Sequence, residues 1–251
     1  MTYRPDIDGL RAIAVLAVVL YHAAPGLLPG GYAGVDVFFV ISGFLITALI
    51  DAELRTGCFS FLQFWLRRVR RLVPALLVVC AVSAVFAWAL LLPDGFRDFG
   101  QSLAAAALFL SNLLFWTESG YFYAEATTKP MLHTWSLAIE EQFYLIFPAI
   151  FVLLMRRSRQ AVVVGLSVLW ALSFWAAWRT SITDPSLAFY ALHTRMWELL
   201  TGALLALAMP RLSLSRRAAE VAGLSGLAAL AVSFAGLSPT PLFPGPGALL
   251  P

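Results

Sequence analysis

Charge is scarce in this 251-residue chain: Asp, Glu, Lys and Arg make up only 12% of it. Soluble domains carry about twice that share. With 61% hydrophobic residues and a mean hydropathy of +0.83, the composition excludes an ordinary water-soluble domain and points to a polytopic membrane protein. Cysteine is nearly missing. Of the two, Cys58 stands beside a basic loop and Cys80 inside an apolar run, which argues against a disulfide framework or a cysteine-based metal cluster; no metal is expected. Internal repeats are lacking, which weakens a transporter built from inverted halves. Met1 to Asp8 lacks the basic start and small-residue cleavage site of a signal peptide, so the first apolar run is expected to stay as a membrane span. The net charge of +3 comes from arginine-rich loops. Such loops orient a chain against anionic lipid and need no nucleic-acid partner.

What is present is a series of apolar runs near the ~20 residues that a spanning helix needs. They cover roughly Gly9 to Ala24, Tyr32 to Ile50, Leu72 to Leu92, Phe99 to Trp116, Met131 to Met155, Ala161 to Trp178, Leu187 to Ala208, and Ala218 to Leu237. Pro25 and Pro29-Gly30-Gly31 predict a tight turn after the first, and Gly31, Gly34 and Gly43 predict close helix packing in the second. Between Phe59 and Pro74, aromatic residues and leucines are interleaved with Arg67, Arg68, Arg70 and Arg71. That pattern predicts an amphipathic helix on the membrane surface, leading into a separate span at Pro74. The same arginines make the strongest basic loop, which the positive-inside rule places in the cytoplasm together with the N-terminus.

If all eight runs cross, Arg156, Arg157 and Arg159 and the Arg211, Arg216, Arg217 group face outward. If Phe99 to Trp116 does not cross, both groups return to the cytoplasmic side and Glu118 to His133 faces outward. The expected fold is an all-α transmembrane bundle of seven or eight membrane helices plus a cytoplasmic amphipathic helix, with seven crossings preferred. Trp116, Tyr121, Phe122 and Tyr123 read as an interfacial aromatic belt. Ser238 to Gly247 reads as a loop entering a further apolar segment, so the chain reads as a fragment.

Four polar groupings interrupt these runs. Asp8, Arg11 and His22 share one face of the first helix, with Arg11 and His22 roughly 16 Å apart along its axis. Charged and titratable groups inside a membrane helix are costly and mark a functional site by default; the bland alternative is a pair of end anchors. Asp36 is a lone acid in the second run, a packing partner for Arg11 or His22. His133, Ser136, Glu140 and Tyr144 fall on one helical stripe, while Glu141 and Gln142 point elsewhere, toward neighbouring helices. A Ser-His-Glu nucleophilic triad is disfavoured there, because successive turns of one helix cannot easily present a strained nucleophile and an oxyanion hole. Arg195 and Glu198 can pair at i, i+3, either as a structural ion pair or in binding. The Arg67 to Arg71 patch serves topology alone or docks a polyphosphorylated cytosolic cofactor, because arginine suits bidentate phosphate binding.

Tyr3-Arg4-Pro5-Asp6-Ile7-Asp8-Gly9-Leu10-Arg11-Ala12 with His22 resembles the opening of the acyltransferase-3 family of membrane acyltransferases. Gly34-Val-Asp-Val-Phe-Phe-Val-Ile-Ser-Gly43, Arg67-Arg-Val-Arg-Arg-Leu-Val-Pro74, His133-Thr-Trp-Ser-Leu137 with Glu140-Glu-Gln-Phe-Tyr144, and Arg195-Met-Trp-Glu198 are similar to its later motifs, in the same order. The resemblance covers essentially all of residues 1–251, read as one membrane acyltransferase domain lacking its last helices. It implies transfer of an acyl group, most often acetyl, from cytosolic acyl-CoA as co-substrate to a hydroxyl of an extracytoplasmic glycan or related acceptor, in the inner membrane.

In that reading His22 is the general base or acyl relay. Arg11 holds the donor, Asp8 orients Arg11, and Arg67, Arg68, Arg70 and Arg71 hold the CoA phosphates. His133 and Glu140 complete the expected catalytic set. Asp8, Asp36, Trp135, Ser136, Arg195 and Glu198 are the expected substrate-binding set. The rival class is a non-enzymatic carrier or flippase for a lipid-linked sugar, which would not need a basic docking loop feeding a histidine.

Overall fold

The computed structural model describes residues 4–24, 26–119, 129–237 and 242–251. In lipid a chain must satisfy its own backbone groups, and long apolar runs do so as helices. These are α1 (Pro5–Ala23), α2 (Gly34–Arg55), α3 (Phe61–Leu90), α4 (Pro93–Ala107), α5 (Ser111–Thr117), α6 (Thr134–Met155), α7 (Arg159–Thr183), α8 (Pro185–Tyr190), α9 (Leu192–Ala208) and α10 (Arg216–Gly236). Serine caps start three of them. The hydroxyls of Ser60, Ser158 and Ser215 accept from the backbone N–H of Gln63, Ala161 and Ala218, satisfying donors that the first turns of α3, α7 and α10 leave open.

Among the described residues, Gly31–Arg55, Phe61–Leu90, Thr134–Met155, Arg159–Thr183 and Arg216–Gly236 are long and apolar enough to cross a bilayer. The regular structure of the described residues is all helical, and the chain is a multi-pass membrane protein. The apolar run from Phe99 to Trp116 is not one helix. It breaks between α4 and α5, where Phe109 takes a left-handed φ of 54°. The run from Leu187 to Ala208 likewise divides between α8 and α9.

One expectation is corrected here. There is no separate amphipathic helix ahead of Pro74: α3 runs unbroken through Pro74 from Phe61 to Leu90. Its 30 residues correspond to about 45 Å, longer than the ~30 Å hydrocarbon core. The arginine-rich turns are therefore the overhanging end of a spanning helix.

The chain forms two compact units, one of Met1–Asp51, Phe151–Phe189 and His193–Pro251, the other of Ala52–Ile150 and Tyr190–Leu192. In the first unit, glycines let backbones touch. A Cβ on Gly34 would lie 2.5 Å from the Ala14 carbonyl oxygen of α1, and one on Gly31 would lie 2.3 Å from that of Ala17. The α2–α9 crossing is tighter still: a Cβ on Gly43 would meet the Leu199 carbonyl oxygen at 1.8 Å, and one on Gly202 that of Val40 at 1.9 Å. The glycines expected to allow close packing do so, joined by Gly202. Ile7, Ala14, Ala17, Val37, Ile41, Leu230 and Phe234 fill the core among α1, α2 and α10. Asp51 near the end of α2 pairs with Arg159 at the start of α7, 3.2 Å away.

In the second unit, α6 carries the ties that Glu141 and Gln142 were expected to make. Glu141 accepts from Arg68 on α3 at 3.0 Å. Gln142 donates to the carbonyl of Phe109 and to Asn112, both at 2.8 Å, holding the left-handed break between α4 and α5. Asn112 in turn donates to the Tyr190 carbonyl at 3.0 Å, and the Thr134 hydroxyl donates to Ser111 at 2.8 Å. Much of α3 beyond Pro74 presents exposed apolar side chains, Leu77, Val78, Val82, Val85 and Phe86 among them, as a lipid-facing surface does.

A buried carboxylate and arginine cluster as the candidate site

The most deeply buried charges of the first unit stand together. Asp36 on α2 and Arg195 and Glu198 on α9 are 3%, 1% and 1% exposed. The Arg195 guanidinium donates through Nη2 to Asp36 Oδ1 and lies 3.2 Å from Glu198 Oε2. The rings of Phe39, Phe189 and Phe243 surround it, their centroids 5.3, 5.6 and 5.5 Å from the guanidinium carbon. Such rings stabilise a desolvated cation through their π faces. The glycine contacts at Gly43 and Gly202 bring α2 and α9 close enough for the Asp36–Arg195 bond to form.

Helix α7 sets the first turn of α9. The Ser173 hydroxyl donates to the His193 carbonyl at 2.7 Å and accepts from the Trp197 N–H at 2.9 Å, bridging two backbone groups on either side of Arg195. One turn earlier on α7, the Trp170 indole N–H donates to Thr201 at 2.8 Å. Beside this cluster lies a cavity of about 500 Å³ whose lining includes Leu10, Asp36, Trp170, Trp197, Glu198 and Thr201. Its remaining wall is mostly aliphatic and glycine-rich, with several residues from α10. The lining thus combines two acidic residues, two tryptophans and a threonine with aliphatic side chains, and among the described residues the Arg195 guanidinium pairs with both acids.

Arg195 and Glu198 therefore pair as the spacing predicts. Asp36 does not partner Arg11 or His22 but bonds to Arg195, so a longer-range contact replaces the expected one. Sequence reasoning named Asp36 and Glu198 but missed Ser173 and, in the cavity lining, Trp170, Trp197 and Thr201. Trp197 could have been found, because it sits inside the Arg195-Met-Trp-Glu198 motif. Ser173 carries no local signal, since its role is set by which helix packs against α7.

The Arg11 and His22 positions lie on the single continuous helix α1, so the separation of roughly 16 Å along its axis holds. Arg11 is half-buried and lies 4.0 Å from Asp8. His22 is exposed, with Nδ1 placed 2.8 Å from the Val18 carbonyl oxygen and its ring edge-on to Tyr21 at 5.1 Å. Leu10, adjacent to Arg11, lines the cavity that Asp36 and Glu198 share.

In the second unit the expected cofactor-binding arginines divide into two kinds. Arg67 donates to Glu53 at 2.7 Å, and Arg68 donates to Glu141 while lying 3.8 Å over the Tyr144 ring. Arg70 and Arg71 are exposed. The predicted stripe along α6 is corrected at its first member: α6 starts at Thr134, so His133 precedes the helix, and the Ser136 hydroxyl donates back to the His133 carbonyl at 3.3 Å. His133 is exposed, Ser136 and Glu140 are half-buried and Tyr144 is buried. Trp135 is buried, its ring edge-on to that of Tyr190. Trp116 is half-buried, whereas Tyr121, Phe122 and Tyr123 of the expected belt and residues 238–241 of the expected loop lie outside the described residues. His193, which the sequence did not single out for chemistry, enters only through its backbone carbonyl on Ser173.

Comparison with known proteins shows what the chain is similar to. The chain is 34% identical over 243 residues to the O-acetyltransferase OatA of Staphylococcus aureus (strain NCTC 8325), covering 92% of this chain and 40% of that one. It is 38% identical over 216 residues to a second S. aureus protein (strain MSSA476), provisionally named an O-acetyltransferase, covering 84% of this chain and 35% of that one. The chain thus spans well under half the length of these relatives. No solved structure matches it. The family described as "Acyltransferase domain" matches residues 4–250, across both units. The chain belongs to the acyltransferase-3 family of membrane acyltransferases.

Proposed function

We propose that the chain acts as, or within, a membrane O-acyltransferase that moves an acetyl group from cytosolic acetyl-CoA to a hydroxyl of an extracytoplasmic glycan. The observation that carries this reading is the family match over residues 4–250, together with relatives whose names give them as O-acetyltransferases. His22 serves as the general base or acyl relay, because an imidazole titrates near neutral pH and suits either task. Arg11 holds the donor and Asp8 orients Arg11. Arg70 and Arg71, exposed on α3, meet the CoA phosphates, while Arg67 and Arg68 brace that end of the helix. His133, Ser136 and Glu140 line an approach for the acceptor.

The proposed orientation keeps the N-terminus and the arginine-rich start of α3 in the cytoplasm, in the inner membrane of the cell. Within the first unit, the Asp51–Arg159 pair puts the start of α7 at the same end as the finish of α2. Within the second, the Glu53–Arg67 pair ties the finish of α2 to the start of α3. Each pair, taken within its own unit, is in keeping with the positive-inside rule.

The test uses the full-length protein in proteoliposomes with acetyl-labelled CoA. Wild-type protein is expected to transfer label to a glycan hydroxyl, and His22→Ala and Arg11→Ala are each expected to abolish transfer while still inserting. Near-normal transfer by both variants would overturn the assignment.

A further inference from the structure

We infer, from the geometry of this cluster and independently of acyl transfer, that Asp36 and Glu198 share a single proton. With Arg195 they form a net-neutral proton-binding site between α2 and α9, its Asp36 member lying within the span Gly31–Arg55.

Both acids converge on one nitrogen. Arg195 Nη2 donates to Asp36 Oδ1 and lies 3.2 Å from Glu198 Oε2. The two carboxyl groups crowd the same edge of the guanidinium, and their side chains are within hydrogen-bonding reach of each other. Two ionised carboxylates cannot bond to one another, because each only accepts. A hydrogen bond between them requires a proton on one. The oxygens left over need the same proton. As carboxylates, Asp36 Oδ2 and both oxygens of Glu198 are buried and find no hydrogen-bond donor among the described residues. Buried polar groups are nearly always satisfied, and a protonated carboxyl supplies the O–H that is wanting here.

The charges point the same way. Fully ionised, the cluster would hold two negative charges against one positive charge. Arg195 is the one cation acting on either acid among the described residues. The other surroundings are neutral: the Phe39, Phe189 and Phe243 rings, Leu10 of α1, Trp170 of α7, and aliphatic and glycine positions of α10. Tyr32, one turn before Asp36, is the nearest further titratable group, and its buried hydroxyl has no hydrogen-bond partner among the described residues. An unbalanced charge in such a setting is ordinarily neutralised by a proton, and carboxylates that share a site resist ionising together. Intramembrane acids commonly carry protons. Here the proton sits where Gly43 and Gly202 bring the two helices into contact, so its presence keeps that joint neutral and its loss would place a negative charge there.

The experiment records infrared spectra of the full-length protein in nanodiscs, as wild type, Asp36→Asn and Glu198→Gln. The buffer is held at about pH 7, well above the ~4 at which ordinary carboxyl groups lose their protons. Subtracting a variant from wild type should reveal the C=O stretch of one protonated carboxyl group, displaced in deuterium oxide. Either single amide leaves one acid against one guanidinium, so the variant that replaces the protonated member should insert and melt near wild type. The double amide leaves Arg195 unbalanced and should be largely lost from the membrane fraction. Difference spectra that show only the loss of ionised carboxylate would overturn the inference. So would failure of both single variants to insert, or a double variant as stable as either single one. Neither result depends on whether wild-type protein transfers acetyl groups.

Discussion

Arg195 and the Arg67 to Arg71 run are built from the same side chain and do opposite things. Arg195 is 1% exposed, held by Asp36 and Glu198 and ringed by three phenylalanines. The arginines of α3 lie at the overhanging end of a long helix, where Arg67 and Arg68 have carboxylate partners and Arg70 and Arg71 face outward. A guanidinium keeps its charge in either setting, so the difference lies in what burial makes of it. Inside, it is bound to its partners, and removing it leaves two acids uncompensated. At the surface it remains available to a phosphate, and removing it costs the fold little. A count of arginines in the sequence does not make that distinction; the partners do.

The strongest way to break the comparison is Arg195→Leu. Removing one member of a buried ion pair costs about 3–5 kcal/mol because the remaining charge stays buried. The variant is expected to be lost from the membrane fraction or to melt far below wild type, as read by yield and thermal stability in detergent. The triple variant Asp36→Asn, Arg195→Leu, Glu198→Gln should recover much of that loss, and no recovery would show that Arg195 works through packing alone. Next comes Gly202→Val. Any Cβ there meets the Val40 backbone, so α2 and α9 must separate, at an expected ~1–3 kcal/mol or more.

Smaller effects sharpen the contrast within α3. Arg68→Ala, which loses the Glu141 bond and the Tyr144 ring contact, should lower stability by about 1–2 kcal/mol. The paired Arg70→Ala, Arg71→Ala variant should stay within about 0.5 kcal/mol of wild type while raising KM for acetyl-CoA several-fold. Equal KM effects from both variants would erase the division drawn between bracing and docking arginines.

The smallest effect is expected at Asp6, ahead of the apolar stretch that begins at Gly9. Its hydrogen bonds from Arg4 hold the carboxyl down at about 2. A depressed carboxylate contributes stability above its unfolded value of about 3.9 and loses it as pH falls toward 2. Since both side chains are largely exposed, Asp6→Asn should leave the melting temperature at pH 7 almost unchanged.

Much of this was legible in the sequence because lipid imposes strong rules. Apolar run length gave the long helices, Gly31, Gly34 and Gly43 gave their close contacts, and the Arg195–Glu198 spacing gave an ion pair. What was not legible depended on which helices meet. Asp36 could be marked as an expensive acid, but its partner lies 159 residues away on α9, and no local pattern names it. Ser173 reads as a small polar residue in an apolar run until α7 is placed against the first turn of α9. The merger of an amphipathic stretch with a span across Pro74 was likewise hidden. Proline usually marks a boundary, yet α3 continues through it with the residues on both sides helical.

The central claim, acyl transfer through the histidine of α1, is tested most directly by one measurement. Label from acetyl-CoA is followed onto a glycan hydroxyl in proteoliposomes carrying the full-length protein, wild type or His22→Ala, at equal and verified insertion. The account predicts transfer by wild type and none above background by His22→Ala. Transfer by His22→Ala at a rate near that of wild type would contradict it.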